Sequence, residues 1–364
     1  MFAAHPELLD LFNHTNQKIG TQPLALANTV YFAAENIDHL DVLLPQVKLI
    51  AHKHRALTVL PEHYPIVGKH LLQAISEFLG DKATPAILNA WAAAYDIIAK
   101  VFIDLEQQLY DELGPNELDK GFVSFKISKK EVIASGPIVS LTLVRQDGGK
   151  MHNYQTGQYI TVRIKKNGHF HNRHYSLIQP FDGKTYRIAI KDENDTEPKG
   201  LVSNEIIDNF NEGDTILASF PAGTFGLVEN AENHLFIAGG IGITVLSSMI
   251  HELHKQGKSK NAILIHCVPT KKHAAFANQM QSILSENRYH LFDEAEQLDK
   301  DLIKKILKSN THVYISGPVP FMNEIEDYLA ECGHPQSHIH IEAFQPTLSV
   351  IRDAVKDESK TKSL

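Results

Sequence analysis

The hydrophobic period of this chain changes twice, and each change demands a different architecture. Up to Gly114-Pro115-Asn116, apolar residues recur at the three-and-four spacing of a helix face. From Phe122 they alternate in short runs between Gly and Asp turns, and from Leu235 strand-like runs are each followed by a helix-like stretch. One core cannot serve three periods, and 364 residues suffice for two or three domains. The expectation is a multidomain chain: an all-α domain, an antiparallel β-barrel, and an α/β domain with helices on both faces of a parallel sheet.

In the helical part, Val47, Ile50, Ala51 and His54 share one face behind Pro45, which suits a first helical turn. A second helix after Pro61 aligns Tyr64, Val67, Leu71, Ile75 and Phe78. A third, with Thr84 as N-cap and Pro85 at its first position, aligns Trp91, Tyr95, Ile98, Phe102 and Leu105. Strands are expected at 140–144, 159–163 and 187–191, and strand-then-helix units at 235–253, 262–284 and 312–332.

Composition narrows the function classes. A formal net charge of -8 supplies no basic face for nucleic acid or an anionic membrane, which leaves small molecules or a soluble partner. The two cysteines, Cys267 and Cys332, lack metal-ligand spacing and point to a reducing compartment. The first residues have neither the basic segment nor the apolar core of a signal peptide. The longest apolar stretch, 235–250, is interrupted by glycines and falls short of the roughly 18 to 20 residues of a bilayer span. A cytoplasmic protein with no integral membrane segment is expected.

Two strings carry chemistry. In Arg173-His174-Tyr175-Ser176, at the end of a strand, a guanidinium can clamp a phosphate, a ring can cover a flavin face and a hydroxyl can bond the flavin edge. Alternation puts Arg173 and Tyr175 on one face, although the same residues also read as an ordinary strand end. Gly239-Gly240-Ile241-Gly242-Ile243-Thr244 lies between a strand and a helix, where it is either a tight turn or a pyrophosphate seat. It is not the G-x-G-x-x-G fingerprint, since counting from Gly240 the third glycine position holds Val245. Their order along the chain favours a flavin site followed by a nicotinamide site.

His54 lies on an apolar helix stripe, as a core residue or as a ligand. Tyr64 and Glu106, on two other helices, could each reach its ring, and a carboxylate on the second ring nitrogen raises ligand basicity. From the residues alone these readings stand level.

Residues 121 to about 346 resemble the ferredoxin-reductase type of FAD and NAD(P)H module, through Arg-x-Tyr-Ser, Gly-x-Gly-x-Thr, Ser316-Gly317-Pro318 with Phe321-Met322, and Ile341-Glu342-Ala343-Phe344-Gln345-Pro346. The resemblance implies FAD on Tyr159, Arg173, His174, Tyr175, Ser176, Val202, Ser203, Ala343, Phe344, Gln345 and Pro346. It implies NAD(P)H on Gly240, Ile241, Gly242, Ile243, Thr244, Val245, Ser316, Gly317 and Pro318, with Glu342 in the electron-transfer region. Thr244-Val245 stands where the family often has Thr-Pro, and Ser316-Gly317-Pro318 where it often has Cys-Gly-Pro, departures that bear on nicotinamide positioning.

Residues 1 to about 112 resemble the globin domain of flavohaemoglobins, through Phe2-Ala3-Ala4-His5-Pro6-Glu7-Leu8, Ala51-His52-Lys53-His54, Tyr64-Pro65-Ile66-Val67-Gly68 and Ala90-Trp91-Ala92-Ala93-Ala94-Tyr95. This implies haem b with His54 as the proximal iron ligand and Tyr64 and Glu106 as the catalytic residues that tune it. Lys53 would lie at the haem edge, Phe12 on the haem, and Gln22 and Leu26 on the distal side. The match begins near the end of the family's second helix, so an N-terminally truncated globin, without the family's distal tyrosine, is expected.

The resulting division is a haem domain at 1–115, an FAD barrel at 121–228, an NAD(P)H domain at 230–346 and a disordered tail at 347–364. The implied activity is that of a monomeric nitric oxide dioxygenase, in which NO, O2 and NAD(P)H yield nitrate and electrons pass from NAD(P)H to FAD to haem. Two other readings stay open: an NAD(P)H-dependent flavin reductase with a vestigial haem domain, and a haem-based gas sensor or O2-binding protein. No single acidic or basic residue chooses between NADH and NADPH.

Overall fold

The computed structural model describes residues 1–12, 21–194, 196, 199–308 and 310–344, so the tail expected at 347–364 lies outside the described residues. Contacts divide the chain into two compact units, one containing Met1–Phe122 and Arg163–Asn172, the other Val123–Val162 and Arg173–Gln345.

The first unit has helices α1 (Thr21–Glu35), α2 (Leu44–Ala56), α3 (His63–Leu79) and α4 (Pro85–Asp111). Pro45 opens α2, and Thr84 caps α4 by accepting the Ile87 N–H at 3.3 Å, as the residue types dictate. Val30, Ala33, Leu43, Val47, Ile98 and Phe102 form the core, with Tyr64, Leu71, Trp91 and Leu105 packed around them. Phe78, expected on the apolar face of α3, is instead 89% exposed. It sits in the last turn before Gly80, where the helical period continues after the packing has stopped.

By length and composition α4, and not the stretch 235–250 expected to be the longest apolar one, is apolar enough to cross a membrane. Its buried residues nevertheless include Glu106, Tyr95 and Tyr110 beside Ile98 and Phe102, and it packs on α2 and α3 as the central helix of the unit.

From Val123 the chain forms β1 (Val123–Ala134), β2 (Ile138–Arg145), β3 (Tyr159–Lys166), β4 (His169–Ser176), β5 (Tyr186–Lys191), α5 (Leu201–Asn209) and β6 (Thr215–Ala218). The sheet order is β4-β3-β6-β1-β2-β5, and a bridge from Leu177 to Ile188 joins its two edges into the expected antiparallel barrel. Phe125, Leu141, Leu143, Ile160, Tyr186 and Phe220 are fully buried inside.

Then follow β7 (Asn233–Gly239), α6 (Ile243–Lys255), β8 (Ala262–Cys267), α7 (Ala277–Leu284), β9 (Tyr289–Phe292), α8 (Lys300–Ile306), β10 (Thr311–Ser316), α9 (Val319–Glu331) and β11 (Ile339–Glu342). The expected strand-then-helix units are present, and β9, α8 and β11 extend them. The sheet is parallel, with order β11-β10-β7-β8-β9. Each face is covered: Phe236, Leu246, Met249 and Leu264 lie on one side, Leu235, Ile237, Ile315 and Ile325 on the other. From β7 the chain builds first to one side and then to the other. A crevice therefore opens at the C-terminal ends of β7 and β10, where ligands of such sheets sit.

Candidate functional site

In the first unit three helices meet at one carboxylate. Glu106 on α4 is 3% exposed, and its Oε1 accepts from His54 Nδ1 at 2.7 Å and from the Tyr64 hydroxyl at 2.6 Å. Because a carboxylate only accepts, His54 carries its proton on Nδ1, and its Nε2 lone pair is left to bind a metal. Burial, and then the Glu106 charge, push the Tyr64 phenol far above its ordinary range, so it stays a neutral donor.

The next layer holds this group in place. The Tyr95 hydroxyl donates to the Tyr64 carbonyl at 2.8 Å, and that of Tyr110 to the Val59 carbonyl at 2.9 Å. A Cβ at Gly68 would stand 2.5 Å from the Tyr95 ring, so the Tyr64-Pro65-Ile66-Val67-Gly68 run needs its glycine to admit that ring. The ring neighbours of His54 are Tyr64 and Phe102, with Phe102 at 5.8 Å. Of the other expected haem-pocket residues, Lys53 lies in the last turn of α2, Leu26 is 39% exposed on α1, and Phe12 packs edge-on against Phe2. The side chain of Gln22 lies outside the described residues.

The barrel brings the first string together. On β4, burial pulls the Arg173 guanidinium below its ordinary value and pushes the Tyr175 phenol above its own, and the two act on each other. His174 contacts Thr161 Oγ1 at 2.8 Å, and its ring lies 4.7 Å from that of Tyr159. Tyr159 and Ser176 are buried. Gly223 admits the Tyr159 ring, since a Cβ there would meet it at 3.1 Å.

Helix α5 begins at Gly200, which makes no side-chain cap, so among the described residues no capping side chain stands at an N-terminus whose N–H groups suit an anion. A Cβ at Gly200 would run into Ser203 Oγ at 2.4 Å. The other end of α5 is closed by Lys130 of β1, whose Nζ donates to the Ile207 and Phe210 carbonyls at 2.6 Å each. Val202 is fully buried, and of the pair only Ser203 retains a little exposure. Sequence reading missed Lys130, because nothing local links a strand lysine to a helix end some eighty residues later.

The second string forms the crevice floor. Gly240 has φ +53, and a Cβ at Gly242 would lie 2.1 Å from the Ser316 carbonyl oxygen, so β7 and β10 touch backbone to backbone through glycine. Gly317 presses on Gly239 in the same way, since a Cβ at Gly317 would meet the Gly239 Cα at 3.0 Å. The Ser316 hydroxyl donates to the Glu342 carbonyl at 3.0 Å, tying in β11. The side chains of Ile243, Thr244 and Val245 are buried in the core, so they present no side-chain group to a nucleotide. Phe344 is 49% exposed beyond Ala343, while Gln345 and Pro346 lie outside the described residues. Among the described residues no cluster of three His, Cys, Asp or Glu side chains could hold a metal ion by itself.

A globin family model matches residues 1–102, and an oxidoreductase NAD-binding domain model matches residues 236–327. The flavohaemoprotein of Halalkalibacterium halodurans is 40% identical over 370 aligned residues, covering 95% of this chain and 90% of its own. The flavohaemoglobin of Malassezia yamatoensis, a crystal structure with bound FAD and haem, superposes with a TM-score of 0.83 at 27% identity, over 94% of this chain and 91% of its own. The flavohaem-like FAD/NAD binding domain of nitric oxide dioxygenase from Vibrio cholerae gives 0.57 at 28% identity, over 61% of this chain and 98% of its own.

Proposed function

Because the chain belongs to the flavohaemoprotein family, we propose that it is an NAD(P)H-dependent nitric oxide dioxygenase that binds haem b and FAD. When bound, these groups carry the redox chemistry, taking two electrons as hydride and delivering them singly for the oxidation of NO by O2 to nitrate.

The observation that carries the haem part is the Glu106 carboxylate with its two donors, His54 and Tyr64. It fixes the tautomer that leaves His54 Nε2 as a ligand, and it raises the ring's basicity toward iron. His54 is then the proximal ligand, with Tyr64 and Glu106 as the residues that tune it. The assignments of Lys53, Phe12, Gln22 and Leu26 to the haem pocket rest on the family resemblance.

The flavin part rests on Arg173, Tyr175 and Ser176 along β4, with the uncapped start of α5 at Val202 and Ser203 suited to a phosphate. Ala343, Phe344, Gln345 and Pro346 complete this assignment by resemblance, and Glu342 the electron-transfer region. For the nucleotide, the residues 240–245 and Ser316, Gly317 and Pro318 stand at the sheet's switch point. We assign the protein to the cytoplasm, acting as a monomer on small molecules without nucleic acid.

The test is to load the purified chain with haem and FAD, reduce it anaerobically with NADH, and mix it with O2 and NO. Consumption of NO with repeated turnover and nitrate formation is the expected result. A flavin spectrum without a haem Soret band would turn the reading to a flavin reductase, and O2 binding without NO turnover to a gas sensor.

A further inference from the structure

His266 is wholly buried near the end of β8, and its two ring nitrogens have partners on opposite sides. Nε2 lies 3.2 Å from the Gly240 carbonyl oxygen and Nδ1 lies 3.4 Å from the Tyr289 hydroxyl. Burial holds the imidazole down to about 4, so at neutral pH it carries one N–H. A carbonyl can only accept, so that N–H is on Nε2 and is donated to Gly240, while Nδ1 accepts from Tyr289.

The consequence lies on the other side of a peptide plane. In a trans peptide the carbonyl of one residue and the N–H of the next point in opposite directions. The Gly240 carbonyl, which also accepts the Ile243 N–H of the turn, is drawn toward β8. The Ile241 N–H is thereby turned away from β8. Glycine at φ +53 lets the turn take up this peptide orientation, and the His266 N–H anchors it from outside the turn beside the Ile243 N–H within it.

We propose that His266 is a positioning residue for the nicotinamide dinucleotide: through the Gly240 carbonyl it holds the Ile241 N–H in the orientation that receives a phosphate oxygen. This rests on the assignment of the glycine turn as the nucleotide site.

The test uses the full FAD-loaded chain, with ADP-ribose binding and NADH-dependent dye reduction as readouts. Amide exchange of the wild type with and without ADP-ribose checks the underlying assignment, which fails if residues 240–245 gain no protection. His266→Phe keeps ring bulk and removes the donor. It is expected to raise the ADP-ribose Kd and the NADH KM by about tenfold while kcat holds within about twofold. His266→Gln, which keeps an N–H, is expected to recover binding to within about threefold. Tyr289→Phe removes the donor to Nδ1, holds the ring less firmly against Gly240 without touching the turn, and is expected to weaken binding about threefold. Wild-type affinity in Tyr289→Phe and His266→Phe, or equal damage in His266→Phe and His266→Gln, would overturn the proposal.

Discussion

Glu106 Oε1 lies 2.7 Å from His54 Nδ1 although the two residues are fifty-two positions apart, on different helices. With the Tyr64 hydroxyl on the same oxygen, the carboxylate is the hub of the site. Glu106→Gln keeps the shape but replaces a charge-assisted acceptor with a neutral one. Haem should be retained and NO turnover should fall by about 10- to 100-fold, with a raised haem reduction potential. Spectroelectrochemistry beside NO consumption checks this, and an unchanged potential would refute it.

Gly242→Ala forces a methyl group into a space that ends 2.1 Å away at a backbone carbonyl. Backbone cannot swing aside as a long side chain can, so the variant should lose about 2 to 4 kcal/mol of stability. Denaturant melts followed by intrinsic fluorescence measure this, and a loss below about 0.5 kcal/mol would show that the strand ends can part.

How much could be read ahead of the structure follows from where the information lies. The Thr84 cap, Pro45 and the glycine string are local devices, written within one turn of chain, and each acts where the residue types placed it. Glu106 was legible only as one of two level readings, because its burial depends on α2 and α3 arriving against α4. Lys130 carried no signal, since its partners at the end of α5 are backbone carbonyls, which have no residue type, and His266 carried none because the Gly240 carbonyl and the Tyr289 hydroxyl reach it only through the fold. Phe78 misled because periodicity records which face a helix could bury, and the packing ends before it does.

Lys130→Met keeps the aliphatic stem and removes the charge that closes the C-terminal end of α5. The Ile207 and Phe210 carbonyls lose their donor, which costs about 1 to 2 kcal/mol. FAD should dissociate more readily, since the same helix presents its other end to the flavin phosphate in our assignment. Fluorescence of released FAD during a thermal ramp reports both effects, and release at the wild-type temperature would contradict it.

Acid should destabilise the second unit through histidines that fold neutral. Burial holds His234 and His266 down to about 4, against about 6.5 for the unfolded chain. Above 6.5 neither state binds the protons and stability is at its plateau. As pH falls from 6.5 to about 4 the unfolded state takes them up first, and stability drops by up to about 1.4 kcal/mol per pH unit for each histidine. Urea titrations across this range should show the decline, and His266→Gln should make it shallower while His234 keeps the remainder. A flat wild-type profile would mean these imidazoles charge freely in the fold.

The contact of Gly242 with the Ser316 carbonyl, and of Gly317 with Gly239, leaves no seam between β7 and β10 for a ligand to open. In our assignment a nucleotide arriving there meets a hard floor and is laid on it. Its affinity is then not diminished by the work of prying strands apart.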